Sequence, residues 1–116
     1  MNFVRRFLFI LLFCSIIVNA QETTGVLQGM ITDSAKEPIP SATVIVIDLE
    51  TNFKYGVVSK DNGFYSFTNL PPSDRYQLEI SFLGFKTIVV KNVVVNLGAT
   101  TVKDFVMVEE NTALNE

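Results

Sequence analysis

Ser59-Lys60-Asp61-Asn62-Gly63-Phe64-Tyr65-Ser66-Phe67 is the stretch on which the reading of the fold turns. Asp61, Asn62 and Gly63 tolerate the positive φ that tight strand-to-strand turns demand. After them Tyr65 and Phe67 share one face of an extended chain, and Phe64 and Ser66 share the other. Turn chemistry followed by period-two aromatics is a β signal, and it predicts a hairpin at 61–63. The same period extends in both directions. Tyr76, Leu78, Ile80 and Phe82 alternate with Gln77, Glu79 and Ser81, and Leu27, Gly29 and Ile31 alternate with Gln28, Met30 and Thr32.

The remaining segments fill in a β pattern. Asp33–Pro40 is a polar, proline-marked loop, and Ala42–Leu49 is an almost continuous apolar run, expected to form a strand covered on both faces. Lys54–Ser59 is a further short strand. Pro71-Pro72 breaks the pattern, Gly84 allows a bend before a strand over Phe85–Val90, and Val93–Val95 and Val102–Val108 complete the series. Beyond the N-terminal segment no stretch holds a 3.6-residue period, so no substantial helix is expected there. About seven short strands at roughly 8–12-residue spacing predict an all-β, seven-stranded Greek-key sandwich. A transmembrane barrel is excluded, because the strands are shorter than the roughly 9–11 residues each span needs.

The N-terminus is built differently. Of the 116 residues 48% are hydrophobic, but the apolar residues crowd into the first 20. Arg5 and Arg6 precede an apolar run from Phe7 to Val18 broken only by Ser15, and Val18-Asn19-Ala20 offers a cleavage site. That is the layout of a secretory signal helix over residues 1–20, with cleavage expected between Ala20 and Gln21. As a helix the run rises roughly 18 Å, short of a hydrocarbon core of about 30 Å. Bulky Phe13 before Cys14 disfavours a lipoprotein signal, and the poor context of the arginine pair disfavours folded export. The expected route is therefore the general secretory one, leading to the periplasm or the outer membrane. Residues 21–24 are then a short leader, 25–108 the sandwich, and 109–116 an acidic tail. Cleavage removes Cys14, so the mature domain must be held by its core without disulfides.

Composition excludes several classes of function. The chain has no histidine, so it lacks the usual general base and the commonest zinc ligand. A net charge of −3, falling to −5 once Arg5 and Arg6 leave with the signal, argues against a nucleic-acid partner. Asp61-Asn62-Gly63 lacks the further ligand spacing of a calcium loop and reads as a turn. Glu109 and Glu110 are strand neighbours that point apart, and they read as a solvated exit. Ser34, Ser41, Ser59 and Ser66 have no histidine to activate them. No catalytic, metal or cofactor site is expected. Tyr55, Phe64, Tyr65 and Tyr76 are candidates for a sugar-stacking platform or for core. Of these Phe64 is the ligand-facing candidate, because it faces away from Tyr65 and Phe67.

These segments also carry a resemblance. Gly29-Met30-Ile31-Thr32-Asp33, Pro38-Ile39-Pro40-Ser41-Ala42-Thr43-Val44, Ser59–Phe67, Leu70-Pro71-Pro72, Tyr76-Gln77-Leu78 and Gly84-Phe85 resemble the successive signatures of the carboxypeptidase regulatory-like domain. The resemblance covers Gly25 to Val108. It implies a transthyretin-like seven-stranded sandwich with no catalytic residues of its own. It also implies a context, since such modules open TonB-dependent outer-membrane receptors of Bacteroidota directly after the signal peptide. Asn111–Glu116 resembles the linker before a TonB box. The chain is therefore expected to be an accessory domain and N-terminal fragment of such a nutrient receptor, with its own downstream plug and barrel as partners. The alternatives are a free-standing secreted module binding carbohydrate or protein, and a regulatory domain associated with a peptidase. Ser73-Asp74-Arg75 departs from the family by one extra residue in the connection between strands. Asp33-Ser34-Ala35 resembles the short O-glycosylation motif of that bacterial group, which makes Ser34 a candidate modification site.

Overall fold

The computed structural model describes residues 2–13 and 23–110. Cys14, the expected cleavage position Ala20–Gln21 and the tail from Asn111 to Glu116 lie outside the described residues. Helix α1 spans Asn2–Phe13, and no described helix is long and apolar enough to cross a membrane. The strands are β1 (Gly25–Asp33), β2 (Thr43–Asp48), β3 (Lys54–Val58), β4 (Phe64–Leu70), β5 (Ser73–Ser81), β6 (Ile88–Val95), β7 (Thr100–Val102) and β8 (Phe105–Met107).

Two sheets enclose one core. In the first, β1 lies between β4, which is antiparallel to it, and β7 and β8, which are parallel to it. The second is antiparallel throughout, in the order β3-β2-β5-β6. Period-two side chains meet between them: Leu27 and Ile31 from β1 and Tyr65 from β4 face Val44, Leu78 and Ile80, and all six are buried. The all-β sandwich anticipated from the pattern is thus present. Eight strand segments stand where about seven were expected: the stretches at 85–90 and 93–95 contribute to one strand, and the C-terminal edge is split in two. Val26–Gln28 pair with Thr100–Val102 and Ile31–Asp33 pair with Phe105–Met107, so β7 and β8 follow one another along the same edge of β1.

The break at Lys103-Asp104 has a visible cause. A Cβ on Gly29 would stand 1.9 Å from the Lys103 carbonyl oxygen, so only glycine lets the chain close in there. The polar groups opened by the break are then satisfied locally. Lys103 N–H donates to Gln28 O at 2.9 Å, Met30 N–H donates to Asp104 Oδ1 at 2.9 Å, and the Tyr65 hydroxyl donates to Lys103 O at 2.5 Å. A side-chain carboxylate here replaces the carbonyl that an unbroken strand would supply.

Four expectations need correction. The turn at 61–63 forms, with Gly63 at φ +80° and Gly63 N–H donating to Lys60 O at 2.8 Å. It does not join a paired hairpin, however. Lys60 N–H donates to Phe64 O at 2.9 Å, and beyond that pair β3 departs to β2 while β4 departs to β1. Gly63 docks on β1 instead, accepting a hydrogen bond from Ile31 N–H at 2.8 Å, and this carries the chain from one sheet to the other. Second, β2 is not covered on both faces: Val44 and Val46 are buried while Ile45 and Ile47 are half-buried, as befits an antiparallel sheet with one face toward water.

Third, Ser73-Asp74-Arg75 belongs to β5 and is no connecting loop. Ser73 pairs with Val95 and Tyr76 with Val93, so β5 carries one extra residue there. Tyr76 to Leu78 then spans Val93 to Val90, so β6 carries the next extra residue, beside Asn92 at φ +61°. The two bulges offset each other and restore the register. Fourth, that compensation joins the expected strands at 85–90 and 93–95 into one β6, which starts only at Ile88.

Substituting Gly29→Ala places a methyl group against backbone that cannot move without undoing the Lys103 junction. The expected cost is about 1–3 kcal/mol or more, read as a lower urea midpoint at unchanged slope.

Candidate functional site

The strand register decides which side chains face outward on the first sheet. Val26 pairs with Thr100, Gln28 with Ser66 and Val102, and Met30 with Phe64. These residues alternate with the buried Leu27, Ile31, Tyr65 and Phe67, so they stand on the solvent face. Phe64 is half-buried, Met30 is 37% exposed, and Val102 and Val106 are each 58% exposed. The Lys60 ammonium lies 5.7 Å from the Phe64 ring centroid, a distance at which cation–π attraction operates. Toward the start of β1, Thr23, Thr24, Thr68 and Thr100 line an open hollow of about 470 Å³.

Phe64 therefore sits where its sequence position placed it, on the face opposite Tyr65 and Phe67. The four-ring platform does not form. Tyr65 and Tyr76 are buried, and Tyr55 packs against the core from the other sheet. Tyr65 contacts Phe67 edge-on at 6.3 Å between centroids and Phe105 at the same distance. Burial, with the Asp104 charge adding to it, pushes the Tyr65 phenol well above its ordinary range. The Tyr76 hydroxyl donates to Pro71 O at 2.5 Å. Burial pushes its pKa up to about 12, with Tyr55 and Asp48 contributing further.

The other candidates are dispersed. Ser34 is exposed in a turn that Asp33 builds by accepting from Ala35 N–H at 2.8 Å and Glu37 N–H at 3.0 Å. It borders an open groove of about 690 Å³ shared with Phe85, Lys86, Met107 and Glu109. Ser59 is buried and structural: its hydroxyl donates to Ile39 O at 2.6 Å and accepts from Ala42 N–H at 2.9 Å. Asp61 and Asn62 are exposed, and Asn62 Oδ1 accepts from Phe64 N–H at 3.1 Å, an Asx turn. Among the described residues no group of three or more His, Cys, Asp or Glu side chains is placed to hold a metal ion. Glu109 is exposed and bridges to Phe85 through the backbone. Sequence reasoning missed Met30 as part of the Phe64 face, and it missed the role of Asp104. Gly29 inside an alternating strand was the available signal, since such a glycine marks a close backbone approach.

What this face offers is a ring and a thioether bordered by an amide and hydroxyls: a surface for contact on a two-sheet scaffold. The class is that of a non-catalytic β-sandwich module. The chain belongs to the carboxypeptidase regulatory-like domain family, which matches residues 26–108. No curated protein matches the chain. Among solved structures, the Bacillus anthracis TIE protein is similar at 26% identity and a TM-score of 0.64, over 75% of this chain and 17% of that one. A Bacteroides uniformis protein provisionally described as carbohydrate binding is similar at 20% identity and a TM-score of 0.60, over 72% of this chain and 41% of that one. The 3-chlorocatechol 1,2-dioxygenase of Rhodococcus opacus shares the fold at 10% identity and a TM-score of 0.58, over 79% and 62%. This chain thus spans less than two thirds of each of these proteins.

The two buried tyrosines give a pH test. Both phenols have raised pKa values in the folded state, so their contribution to stability is intact below the ordinary value of 10.0. It is lost as pH rises from there through about 12 for Tyr76 and higher for Tyr65. Urea midpoints measured across this range should fall above pH 10, and Tyr65→Phe and Tyr76→Phe should each flatten the fall.

Proposed function

We propose that this chain is the non-catalytic accessory module at the periplasmic N-terminus of a TonB-dependent outer-membrane receptor for large nutrients such as glycans. The observation that carries the reading is the order of parts: a basic, then apolar N-terminal segment followed at once by a carboxypeptidase regulatory-like domain over residues 26–108. The short apolar helix α1, with Arg5 and Arg6 near its start, supports export by the general secretory route with cleavage between Ala20 and Gln21. The module makes and breaks no bonds in this reading. It folds independently and offers strands and loops to its own downstream plug and barrel. The acidic charge supports a partner other than nucleic acid.

The coding sequence beyond Glu116 tests this reading. An open frame continuing into a plug and a long series of amphipathic strands is the expected result, and a stop codon at that point contradicts the receptor assignment. Mass spectrometry of the exported protein checks two further parts of the proposal, a new N-terminus at Gln21 and a glycan on Ser34.

One observation favours a second reading, a free-standing module that binds carbohydrate. Half-buried Phe64 and exposed Met30 form a ring-and-thioether surface beside Gln28 and Ser66, and sugar rings stack on such aromatic faces. The similar fold of a Bacteroides uniformis protein described as carbohydrate binding supports it. Phe64→Ala should then abolish glycan binding in calorimetry while lowering stability by about 1–2 kcal/mol, because the ring is only partly buried. Binding unchanged in that variant removes Phe64 from the site.

A further inference from the structure

The first and last strands of this sandwich are neighbours, and they run the same way. β1 leads from Gly25 to Asp33, and β7 and β8 run parallel to it from Thr100 to Met107. Chain termini of a domain often lie close together. Here the chain enters at one end of the β1 ladder and leaves at the other, roughly 30 Å away for nine residues of strand. Ladder hydrogen bonds run between strands and not along them. Opposite pulls along two such strands strain every bond of the ladder together. Pulling adjacent ends of an antiparallel pair opens the bonds one after another.

The last strand is tied on more sides than its neighbour alone. Asp104 Oδ1 holds Met30 N–H, and the Tyr65 hydroxyl of β4 holds Lys103 O. The Thr101 hydroxyl donates to Val94 O at 3.0 Å and so links β7 to the second sheet. Beyond β8 the exit is clasped by the loop before β6, with Lys86 N–H donating to Val108 O and Glu110 N–H to Gly84 O, each at 2.9 Å. Sliding β8 along β1 breaks all of these within one short displacement.

We propose that the module is a load-bearing link, in which tension on the chain beyond Glu110 is carried by β1, β7 and β8 in shear. The inference is independent of the receptor reading. The ladder is loaded in the same way whether the opposing hold is on the chain before Gly25 or on the second sheet, since β8 slides along β1 in both cases. Its role is to keep the domain folded when the chain leaving it is pulled.

Single-molecule force spectroscopy on the full chain tests this, with Cys14→Ser freeing the cysteine chemistry for handles. One variant, Thr23→Cys with Glu110→Cys, is pulled along the ladder. The other, Thr23→Cys with Pro72→Cys, is pulled where Gly25 pairs with Leu70 and peels β1 from β4. All three handle positions are exposed. Along the ladder the domain should give way at about twofold higher force, because forced unfolding follows the unfolding barrier and not the equilibrium stability. It should do so in one step, releasing roughly 250–300 Å of chain. Equal or lower force along the ladder, or stepwise release, overturns the proposal. Adding Asp104→Ala should lower the force along the ladder and leave the peeling force unchanged. A drop in both directions, or in neither, overturns the part assigned to Asp104. Should that variant not fold, the comparison of the two pulling directions still decides.

Discussion

The closure of Lys103 onto Gly29 is the constraint on which the rest of this sandwich depends. The last strand must run parallel to the first, and it must also pass a point where its own backbone turns away from the ladder. A side chain at position 29 forbids that approach, since its Cβ would fall 1.9 Å from a carbonyl oxygen. With hydrogen there, Lys103 closes in and its carbonyl meets the buried Tyr65 hydroxyl, while Asp104 turns inward to Met30. The tyrosine that fills the core and the acid that stands in for backbone are thus parts of one junction. It lets two three-residue segments, β7 and β8, serve as a single edge strand.

The two ends of the sandwich differ in what they present. At the Gly25 end are threonines and the hollow they line. At the Asp33 end are the Asp33 turn with Ser34, the clasp between Gly84 and Glu110, and Leu83, which is 94% exposed at its loop tip. Between them the outer face of the first sheet carries Phe64 and Met30. These are the surfaces that the sandwich offers to solvent. A fold of this kind does not itself dictate a function, which is decided by the sites carried on its loops and faces.

Much of this was legible in the sequence, for physical reasons that can be named. Period-two patterns are imposed by the pleat, so Leu27 and Ile31, Tyr65 and Phe67, and Leu78 and Ile80 disclosed their buried face directly. The position of Phe64 followed from the same rule. Pairing was less legible. Asp61-Asn62-Gly63 encodes the turn, but which sheet each flanking strand joins is decided by contacts such as Ile31 N–H to Gly63 O, made across 32 residues of sequence. The paired bulges near Ser73 and Asn92 were hidden for a related reason, since each makes sense only as the offset of the other. Nothing local in the sequence announces that Asp104 replaces a carbonyl.

Native-state hydrogen exchange tests the junction most directly. If the closure on Gly29 holds the sandwich together, the Lys103 and Met30 amides exchange only when the whole domain unfolds, at the same free energy as Leu27 and Ile31 in the core. Local opening of β7 and β8, with those two amides exchanging at far lower free energy than the core of β1, would contradict that dependence.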